Sequence, residues 1–537
     1  MFKLNIAISN ERITPIKSWL TNHVLAIIFV ILCDISILSF ILYLSNGLGL
    51  AYNDARSHLD IGRRVVEGLK PGLAQIGSVW LPLPHLLMVP TIWNDFMWHS
   101  GLSGALESMI SFVGTGMLVY LFLKKLGAGL LARIIGVLVF VANINVLYMQ
   151  STAMTELLLL GTMTAGVYYL FLWQKEDKIL HLVKAAFWIM LATLNRYDGW
   201  FLFGMSILVI AVVMFKKKGY KTTEGILFFF STLAGVGIVG WFLWNQLIFK
   251  DALYFILGPY SAHTQQQELV KAGNLATKGN LLFSLQIYAY ALVYNTNMYV
   301  LLLGIGGALM LYFDKTIKTS IRIILLTLLA PLLFNILALF LGFSVLFIQG
   351  LSGNTWFNVR YGIVMAPSIA IFVGYLIQKS RYLRFPLIGL LLIVLFFSFA
   401  SADAVTIDDA RVGSSQKNVS EVSGWLAKNA KEKPGFVLIS AASHDAIIFS
   451  SGLPMSKFIH EGTGAYWTSA TSDPDRWARW IIMRTNDLND QTFKLIHNNP
   501  GLKRYNLVEQ YPFADIYELK PEYVSDLNTT PVLGHQK

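Results

Sequence analysis

The sequence predicts a polytopic α-helical membrane protein with about 11 transmembrane helices and a small C-terminal α/β extracytoplasmic domain. Of its 537 residues, 55% are hydrophobic and only 14% are charged, whereas a soluble domain carries about 25% charged residues. Apolar runs of about 20 residues, the length that crosses a bilayer, recur along the chain. The chain becomes polar only near residue 403.

The predicted transmembrane module covers residues 1–402. Its first apolar run is too long for a signal peptide and lacks a small-residue cleavage site, so we interpret it as a retained anchor. Asp34 within that run is expected to make an internal polar contact. The predicted spans, of which the fifth is short, are 24–46, 103–123, 131–150, 153–173, 180–194, 198–215, 224–247, 285–312, 321–343, 358–377 and 385–402.

The positions of the cations predict the orientation of the module. The net charge of +11 could indicate a nucleic-acid partner, but the cations lie in short loops between spans, so the membrane explains them and no nucleic acid is expected. All the cationic loops fall on one side, which is then cytoplasmic together with the N-terminus. They hold Lys124, Lys125, Arg133, Lys175, Lys178, Lys184, Lys216, Lys217, Lys218, Lys221, Lys315, Lys318, Arg322, Lys379, Arg381 and Arg384, and Lys3, Arg12 and Lys17 precede the first span.

The first outer loop, residues 51–100, opens with "YNDARSHLDIGRRVVEGLKPG". Asn53 or Asp54 is suited to cap a helix, and the apolar residues after them recur at helical spacing until Lys70-Pro71-Gly72. The pattern predicts an amphipathic helix in the membrane interface. Its outward cations Arg56, Arg63 and Arg64 run against the positive-inside tendency. Either they reach lipid phosphates, or they hold a substrate anion.

Further ionisable residues are predicted on the same outer face. Glu156 begins the fourth span, either as an acid favoured by the helix dipole or as a group facing a watery cavity. Arg196 and Asp198 lie in the turn "NRYDGW", as a local ion pair or as site residues. Arg360 begins the tenth span, as an interfacial anchor or a phosphate clamp. His263 lies on the long outer loop, where a lone histidine is usually unremarkable.

These acids and arginines suggest transfer chemistry that uses a donor carried in the membrane. The sequence has no G-x-x-x-x-G-K-[ST] phosphate cradle, and nucleotides are scarce outside the cytoplasm. A sugar on a polyprenyl phosphate fits, because its tail can lie among the spans while its phosphate reaches the interface. The single cysteine, Cys33, excludes a disulfide framework and a cysteine zinc site within one chain.

The sequence resembles the GT-C superfamily glycosyltransferases, in the branch of protein O-mannosyltransferases and lipid A aminoarabinose transferases. The resemblance rests on the order of "YNDARSH", "GSVWLPLPH", "AMTE", "NRYDGW" and "RYGIVMAP" across residues 20–400. It implies a GT-C-like fold with Asp54 as the catalytic acid-base residue or an acid that positions the acceptor. It also implies Glu156 as a second acid near the acceptor or the donor, and Arg360 near the donor phosphate. Ala55 stands where the protein mannosyltransferases have a Glu, which makes a protein acceptor doubtful.

The chemistry of the outer-face residues adds partners and further site residues. The donor is a polyprenyl-phosphate sugar, and the acceptor is a lipid, a glycan or a protein. Arg56, Arg63 and Arg64 are further candidates for the donor phosphate. No cofactor is required by the pattern, and a divalent metal is possible but not indicated. The weaker candidates for substrate binding are His58, Arg196, Asp198, His263 and Tyr361.

The predicted C-terminal domain, residues 403–537, alternates helix and strand patterns and ends in the hairpin "YNLVEQY…DIYELK". His444-Asp445 is suited either to a substrate site or to a turn or helix cap. We expect the domain to take part in acceptor recognition.

Two other functions fit the same topology. A transporter or flippase of a lipid-linked or sugar substrate is one, although we see no paired halves in the sequence. A noncatalytic membrane protein with a partner-binding outer domain is the other. The acids and arginines of the outer face favour the glycosyltransferase.

Overall fold

The structure is a computed structural model that describes residues 10–258, 261–413, 418–485 and 487–528. Lys3, one of the cations predicted ahead of the first span, lies outside these residues. The described residues from 10 to 412 form helices and short connections. Their α-helices are α1 Asn10–Ser45, α2 Asn53–Val66, α3 Leu83–Ile92, α4 Asp95–His99, α5 Leu102–Lys125, α6 Leu130–Val141, α7 Ile144–Met149, α8 Glu156–Glu176, α9 Ile179–Thr193, α10 Tyr197–Phe249, α11 Tyr254–Leu257, α12 Ala262–Lys271, α13 Leu281–Thr296, α14 Met298–Phe313, α15 Thr319–Leu325, α16 Ala330–Leu341, α17 Ala366–Lys379, α18 Arg384–Ser401 and α19 Val405–Val412.

The helices make the chain an integral membrane protein, as the sequence predicts. In the described part of the chain, seven helical segments are long and apolar enough to cross a membrane, or eight if one sharply bent pair counts as a span. These segments are His23–Ser45, Leu102–Lys125, Glu156–Glu176, Tyr197–Phe249, Thr319–Leu341, Val359–Lys379 and Arg381–Val412. The count of about 11 spans stays a prediction, and its shorter members α6 and α9 have 12 and 15 residues.

Helix α10 contains both the sixth and the seventh predicted spans. Gly219 interrupts its 53 residues with φ 75° and ψ −179°, a conformation that residues other than glycine rarely adopt. The ring centroids of Trp200 and Phe242 lie 5.9 Å apart, and those of Phe203 and Phe230 lie 6.3 Å apart. Contacts between residues this distant in sequence require the two halves to fold back on each other as an antiparallel pair.

Two predicted spans differ from single straight helices. The span predicted over 285–312 is a bent pair of helices, because α13 and α14 meet at a bend of 110°. Asn297 forms the bend with φ 73° and caps α14 through its side chain. The span predicted over 131–150 breaks after Val141, where Asn143 caps the short helix α7. Asp34, expected to make an internal contact, is exposed on α1.

Helix α2 follows the first span as predicted, but its surroundings differ from the prediction. Tyr52 occupies the cap position without a side-chain cap bond, so neither Asn53 nor Asp54 caps the helix. The helix ends at Val66, before the predicted stop. It packs between α3 and the C-terminal domain, and half of its 14 residues are buried. An interfacial helix with one face in lipid is therefore wrong.

The C-terminal domain has the predicted mixture of helices and strands. A five-stranded sheet has the order β2-β1-β3-β5-β4, with β1 parallel to β2 and β3 and antiparallel pairing between β3, β5 and β4. Alternate residues of β1 and β3 enter two different apolar clusters, so both faces of the sheet are covered. The strands are β1 Phe436–Leu438, β2 Phe458–Ile459, β3 Ala478–Met483, β4 Tyr505–Gln510 and β5 Asp515–Leu519, and the helices are α20 Ser420–Asn429, α21 Ala441–Ser451, α22 Ala465–Ser472, α23 Pro474–Trp477 and α24 Gln491–Ile496.

Helix α19 joins this domain to the helical module. Asn145 Oδ1 of α7 accepts hydrogen bonds from the backbone N and the Oγ1 of Thr406, at 3.1 and 2.8 Å. Tyr52 donates its hydroxyl to the carbonyl oxygen of Thr406 at 2.8 Å. The start of the predicted domain is thus bonded to α7 and to the start of α2.

Candidate functional site

Arg360 is the centre of a buried ionic cluster that joins four distant parts of the chain. Its three guanidinium nitrogens contact three carboxylates: Nη2 lies 2.8 Å from Asp54 Oδ2, Nε lies 3.0 Å from Glu156 Oε1, and Nη1 lies 3.5 Å from Asp409 Oδ2. The Arg360 side chain is 4% exposed, while Glu156 and Asp409 have no exposed side-chain surface. The Asp54 side chain is 35% exposed, which is more than either of the other two carboxylates that contact Arg360.

Arg196 extends the cluster. Its Nη1 lies 3.2 Å from Glu156 Oε1, and its Nε lies 3.4 Å from Asp198 Oδ2. The ring of Tyr361 lies close to both arginines, with its centroid 4.9 Å from Arg196 Cζ and 5.6 Å from Arg360 Cζ. The two guanidinium groups that Glu156 bridges thus contact the same aromatic ring.

The backbone near Arg360 is held by close packing. Residues Val359–Met365 form a 3-10 turn that leads into α17, and Asn358 precedes it in the left-handed region with φ 55°. A Cβ atom on Gly362 would lie 2.4 Å from the carbonyl oxygen of Ala291 in α13. Asn295 of α13 also donates a 2.7 Å hydrogen bond to the carbonyl oxygen of Val359. These contacts with α13 fix the segment that presents Arg360.

Asp409 enters the cluster from the segment that follows the last span. The Tyr52 hydroxyl also lies 3.1 Å from Asp409 Oδ2, so its single proton is shared between this carboxylate and the carbonyl oxygen of Thr406. The Tyr52 ring centroid lies 4.8 Å from Arg360 Cζ. Asp409 was not among the predicted site residues. The only sequence signal was the pair Asp408-Asp409 shortly after an apolar run, and spacing alone did not distinguish its two members.

One side of the cluster opens into a cavity of about 370 Å³. Asp54, Arg196, Asp198, Arg360 and Tyr361 line it, together with His58 and the partly exposed Trp80. The remaining wall includes residues from α12, α16 and the 343–358 segment. The volume lies within the range of small-molecule sites, which is about 300–1,000 Å³.

Burial and neighbouring charges together shift the pKa values of two residues in the cavity wall. Burial, with smaller contributions from the charges of Arg196 and Arg360, lowers the pKa of His58 to about 3. His58 is therefore a neutral hydrogen-bonding group near pH 7, and its Nδ1 lies 2.9 Å from His85 Nε2. Burial alone would lower the pKa of Arg196, but the charges of Glu156 and Asp198 outweigh it and raise that pKa above its ordinary value.

Five predicted site residues do not line this cavity. Glu156 belongs to the ionic cluster but is fully buried, and Arg56, Arg63, Arg64 and His263 lie elsewhere. Arg56 donates to the carbonyl oxygen of Leu50 at 2.9 Å. Arg63 pairs with Glu67 and lies 2.6 Å from Asp95, so it joins α2 to α4. Arg64 pairs with Asp445 of the C-terminal domain at 2.7 Å. His263, which belongs to α12, packs near Phe343, and its neighbours on α12 line the cavity.

Besides Asp409, the predicted site residues did not include Tyr52, Trp80, His85 or Asn335, although Tyr52 lies in "YNDARSH" and Trp80 and His85 lie in "GSVWLPLPH". Asn335 of α16 lies 3.5 Å from Asp198 through its Nδ2 atom. His85 is fully buried behind His58. These residues come from separate elements, so no local spacing connects them. Among the described residues, no group of three or more His, Cys, Asp or Glu side chains is arranged to hold a metal ion.

Comparisons with known proteins identify solved structures that have a similar fold. The sequence matches no protein-family model and no curated protein at a significant level. The structure is similar to ArnT from Cupriavidus metallidurans bound to undecaprenyl phosphate, with a TM-score of 0.52 and 11% identity over 91% of this chain and 98% of that one. It is also similar to the apo oligosaccharyltransferase from Archaeoglobus fulgidus, with a TM-score of 0.52 and 10% identity over 87% and 70% of the chains.

Both structures belong to the GT-C superfamily. At these identities the similarity concerns the fold. The chain therefore has a fold similar to those of ArnT and the oligosaccharyltransferase, which agrees with the GT-C-like fold that the resemblance predicts.

Proposed function

We propose that this protein is a membrane glycosyltransferase that moves a sugar from a polyprenyl-phosphate donor to an extracytoplasmic acceptor hydroxyl. The observation that carries the proposal is the cavity in which two guanidinium groups, Arg196 and Arg360, meet the exposed carboxylate of Asp54. Arginines are suited to a phosphate, and a carboxylate is suited to a hydroxyl proton. The undecaprenyl phosphate bound to ArnT, which shares this fold, supports the same class of donor.

The charges of the cluster suggest how a donor phosphate would bind. Four carboxylates, Asp54, Glu156, Asp198 and Asp409, surround two arginines. A phosphate therefore has to take the place of one carboxylate. Asp54 is the acid with an exposed side chain, so it is the one that leaves Arg360. The same movement frees Asp54 to contact an acceptor.

The reaction is a single displacement at the anomeric carbon. The acceptor oxygen forms a bond to this carbon while the bond from the carbon to the phosphate oxygen breaks, and the electron pair leaves with the lipid phosphate. The hydroxyl proton passes to a carboxylate oxygen of Asp54 and then to water. Arg360 and Arg196 stabilise the charge that develops on the phosphate, while the sugar gains oxocarbenium character. One displacement inverts the anomeric configuration.

The ends of α8 support an outward-facing site. Glu156 begins α8 within the cluster, and Glu176 ends it beside Lys125, at 2.6 Å. A helix of 21 residues is about 31 Å long. The ionic cluster and the cationic loop of Lys124 and Lys125 are thus a membrane thickness apart, which favours a cytoplasmic N-terminus and an extracytoplasmic cluster.

The test uses the full-length protein in nanodiscs with undecaprenyl-phosphate-linked hexoses and pentoses as donors, and with a lipid, a glycan and a peptide as alternative hydroxyl acceptors. We expect release of undecaprenyl phosphate from at least one donor, with an inverted product, and at least a hundredfold loss in Arg360→Gln. Arg411→Gln, an exposed arginine of α19, is the matched control and should retain activity. Donor that crosses the bilayer of vesicles without bond cleavage would instead support a flippase. Cleavage unaffected by Arg360→Gln would refute the assignment of the cavity.

A further inference from the structure

Asp54 lines a second cavity, of about 590 Å³, in addition to the first. Asp54, Val79 and Trp80 line both cavities, and helix α2 presents different residues to each. Asp54 and His58 of this helix line the first cavity, whereas Asn53, Ser57, Ile61 and Arg64 line the second. Positions 53, 57, 61 and 64 recur at helical spacing, so one stripe of α2 faces each space. Asp54 is the residue of α2 that belongs to both walls.

The opposite wall of the second cavity is the C-terminal domain. The first half of α21, from Ala441 to Ala446, contributes to it, as does the turn His460–Gly462. Two contacts join these walls: the Arg64–Asp445 ion pair at 2.7 Å, and a 2.7 Å hydrogen bond from Gln75 Nε2 to the carbonyl oxygen of Gly462. Both the helix and the domain are therefore needed to enclose the cavity.

The charges on this wall disfavour an anionic ligand. Asp54, Asp445 and Glu461 supply carboxylates, against the single guanidinium of Arg64, which Asp445 already pairs. Burial, together with the charge of Arg64, lowers the pKa of His460 well below its ordinary range, so this histidine adds no positive charge. A phosphate in this cavity would meet mainly like charge.

The wall also has features suited to an uncharged sugar. Trp80, Phe249, Tyr254 and Phe513 line the cavity and are all partly exposed. His444 is 3% exposed, and its Nδ1 has no hydrogen-bond partner among the described residues. Its Nε2 lies 2.8 Å from Asp490, without the alignment of a hydrogen bond. Aromatic walls with a few polar groups are typical of small-molecule sites, and a buried unpartnered nitrogen is suited to a ligand hydroxyl.

We propose that the second cavity binds the acceptor, that the bound part is a neutral saccharide, and that its hydroxyl reaches the donor at Asp54, where the two cavities adjoin. This inference rests on the proposed function and narrows its acceptor from lipid, glycan or protein to a glycan end without phosphate. The C-terminal domain supplies half of the site through α21 and the His460–Gly462 turn. His444 and Asp445 then belong to a substrate site rather than to a turn.

The test measures binding, so it does not depend on turnover. Maltotriose and chitotriose serve as neutral probes, glucose 6-phosphate as the anionic probe, and a Ser/Thr-rich peptide as the protein-like probe, each with the full-length protein in nanodiscs. Ala442→Trp fills the cavity from an exposed position of α21, and Thr468→Trp is a matched exposed change on α22. Undecaprenyl phosphate binding and thermal melting are measured on every variant.

We expect at least one neutral saccharide to bind, and its affinity to fall at least tenfold in Ala442→Trp but not in Thr468→Trp. Undecaprenyl phosphate binding and melting should remain unchanged in both. The inference is overturned if no neutral saccharide binds, if glucose 6-phosphate or the peptide binds more tightly, or if Ala442→Trp leaves affinity intact. Failure of undecaprenyl phosphate to bind the unaltered protein would instead count against the proposed function.

Discussion

Asp54 and Arg360 form a 2.8 Å ion pair although 306 residues separate them in the chain. The pair joins the first turn of α2 to the segment ahead of α17. Asp54 is partly exposed and lies between two cavities, whereas Arg360 is buried among carboxylates. Because of this difference in burial, the Asp54 carboxylate is the partner that is able to move. The same substitution at Asp54 is therefore expected to change sugar transfer and donor binding in opposite directions.

Asp54→Asn should abolish sugar transfer and yet tighten the binding of undecaprenyl phosphate. The amide cannot accept the hydroxyl proton, but it also no longer competes with phosphate for Arg360. We expect transfer to fall at least a thousandfold and the dissociation constant to fall about tenfold, equivalent to roughly 1.4 kcal/mol. Titration of undecaprenyl phosphate into nanodiscs measures the second effect. Asp251→Asn, at an exposed acid of a loop, should change neither quantity, and weaker binding by Asp54→Asn would contradict the displacement.

Arg360→Leu should destabilise the protein chiefly through Asp409. Glu156 retains Arg196 as a partner at 3.2 Å, but Asp409 has no other ion pair among the described residues. Removal of one partner from a buried pair costs about 3–5 kcal/mol. We expect the melting temperature to fall and to recover in part when Asp409→Asn is added, because the amide is neutral and can still accept from Tyr52.

Asp408→Asn is the matched control for that rescue. Asp408 is adjacent in α19 but outside the cluster, so its change should restore nothing in the Arg360→Leu background. Equal recovery by both amides would show that a general change in charge, rather than the contact with Arg360, explains the effect.

The sequence predicted the helical module, the alternating C-terminal domain and the grouping of Asp54, Glu156 and Arg360. These predictions rest on hydropathy, on helical spacing and on the cost of placing an ionisable group in an apolar span, all of which are local properties. Motif order then indicated the fold. The site residues that local patterns identified are those next to span boundaries.

What the sequence did not predict depends on tertiary packing. Arg63 and Arg64 occupy adjacent positions of α2, yet one joins α4 and the other joins the C-terminal domain. No spacing within α2 reveals that a domain about 380 residues later covers it. For the same reason α2 was assigned to the lipid interface, because its apolar face is equally suited to lipid and to protein.

Gly362→Ala should displace Arg360 without removing any charge. A Cβ atom there would lie 2.4 Å from the backbone carbonyl oxygen of Ala291, which cannot move without shifting α13. Overpacking of this kind costs about 1–3 kcal/mol. We expect a lower melting temperature and at least a tenfold loss of transfer.

Gly389→Ala on α18 is the matched control for this prediction. A Cβ atom at Gly389 meets open space, so both stability and transfer should stay within error of the unaltered protein. If Gly362→Ala retains full activity, the close approach of α13 does not position Arg360.

His58 should make the folded protein sensitive to mild acid. Burial, with the charges of Arg196 and Arg360, lowers its folded pKa to about 3, whereas an unfolded histidine has a pKa of about 6.5. Between these values the unfolded state binds more protons, so stability is fully present above about pH 6.5 and is lost as pH falls toward 3. From pH 7 to pH 5 the His58 contribution amounts to about 2 kcal/mol of lost stability. His85 and His460 have lowered pKa values as well and add to the loss in every variant that retains them.

His58→Gln should therefore lose less stability than the unaltered protein between pH 7 and pH 5, as measured by melting at each pH. His263→Gln, at a partly exposed histidine of α12, should keep the full acid sensitivity. Identical pH profiles for His58→Gln and the unaltered protein would mean that His58 does not remain neutral within the folded cavity wall.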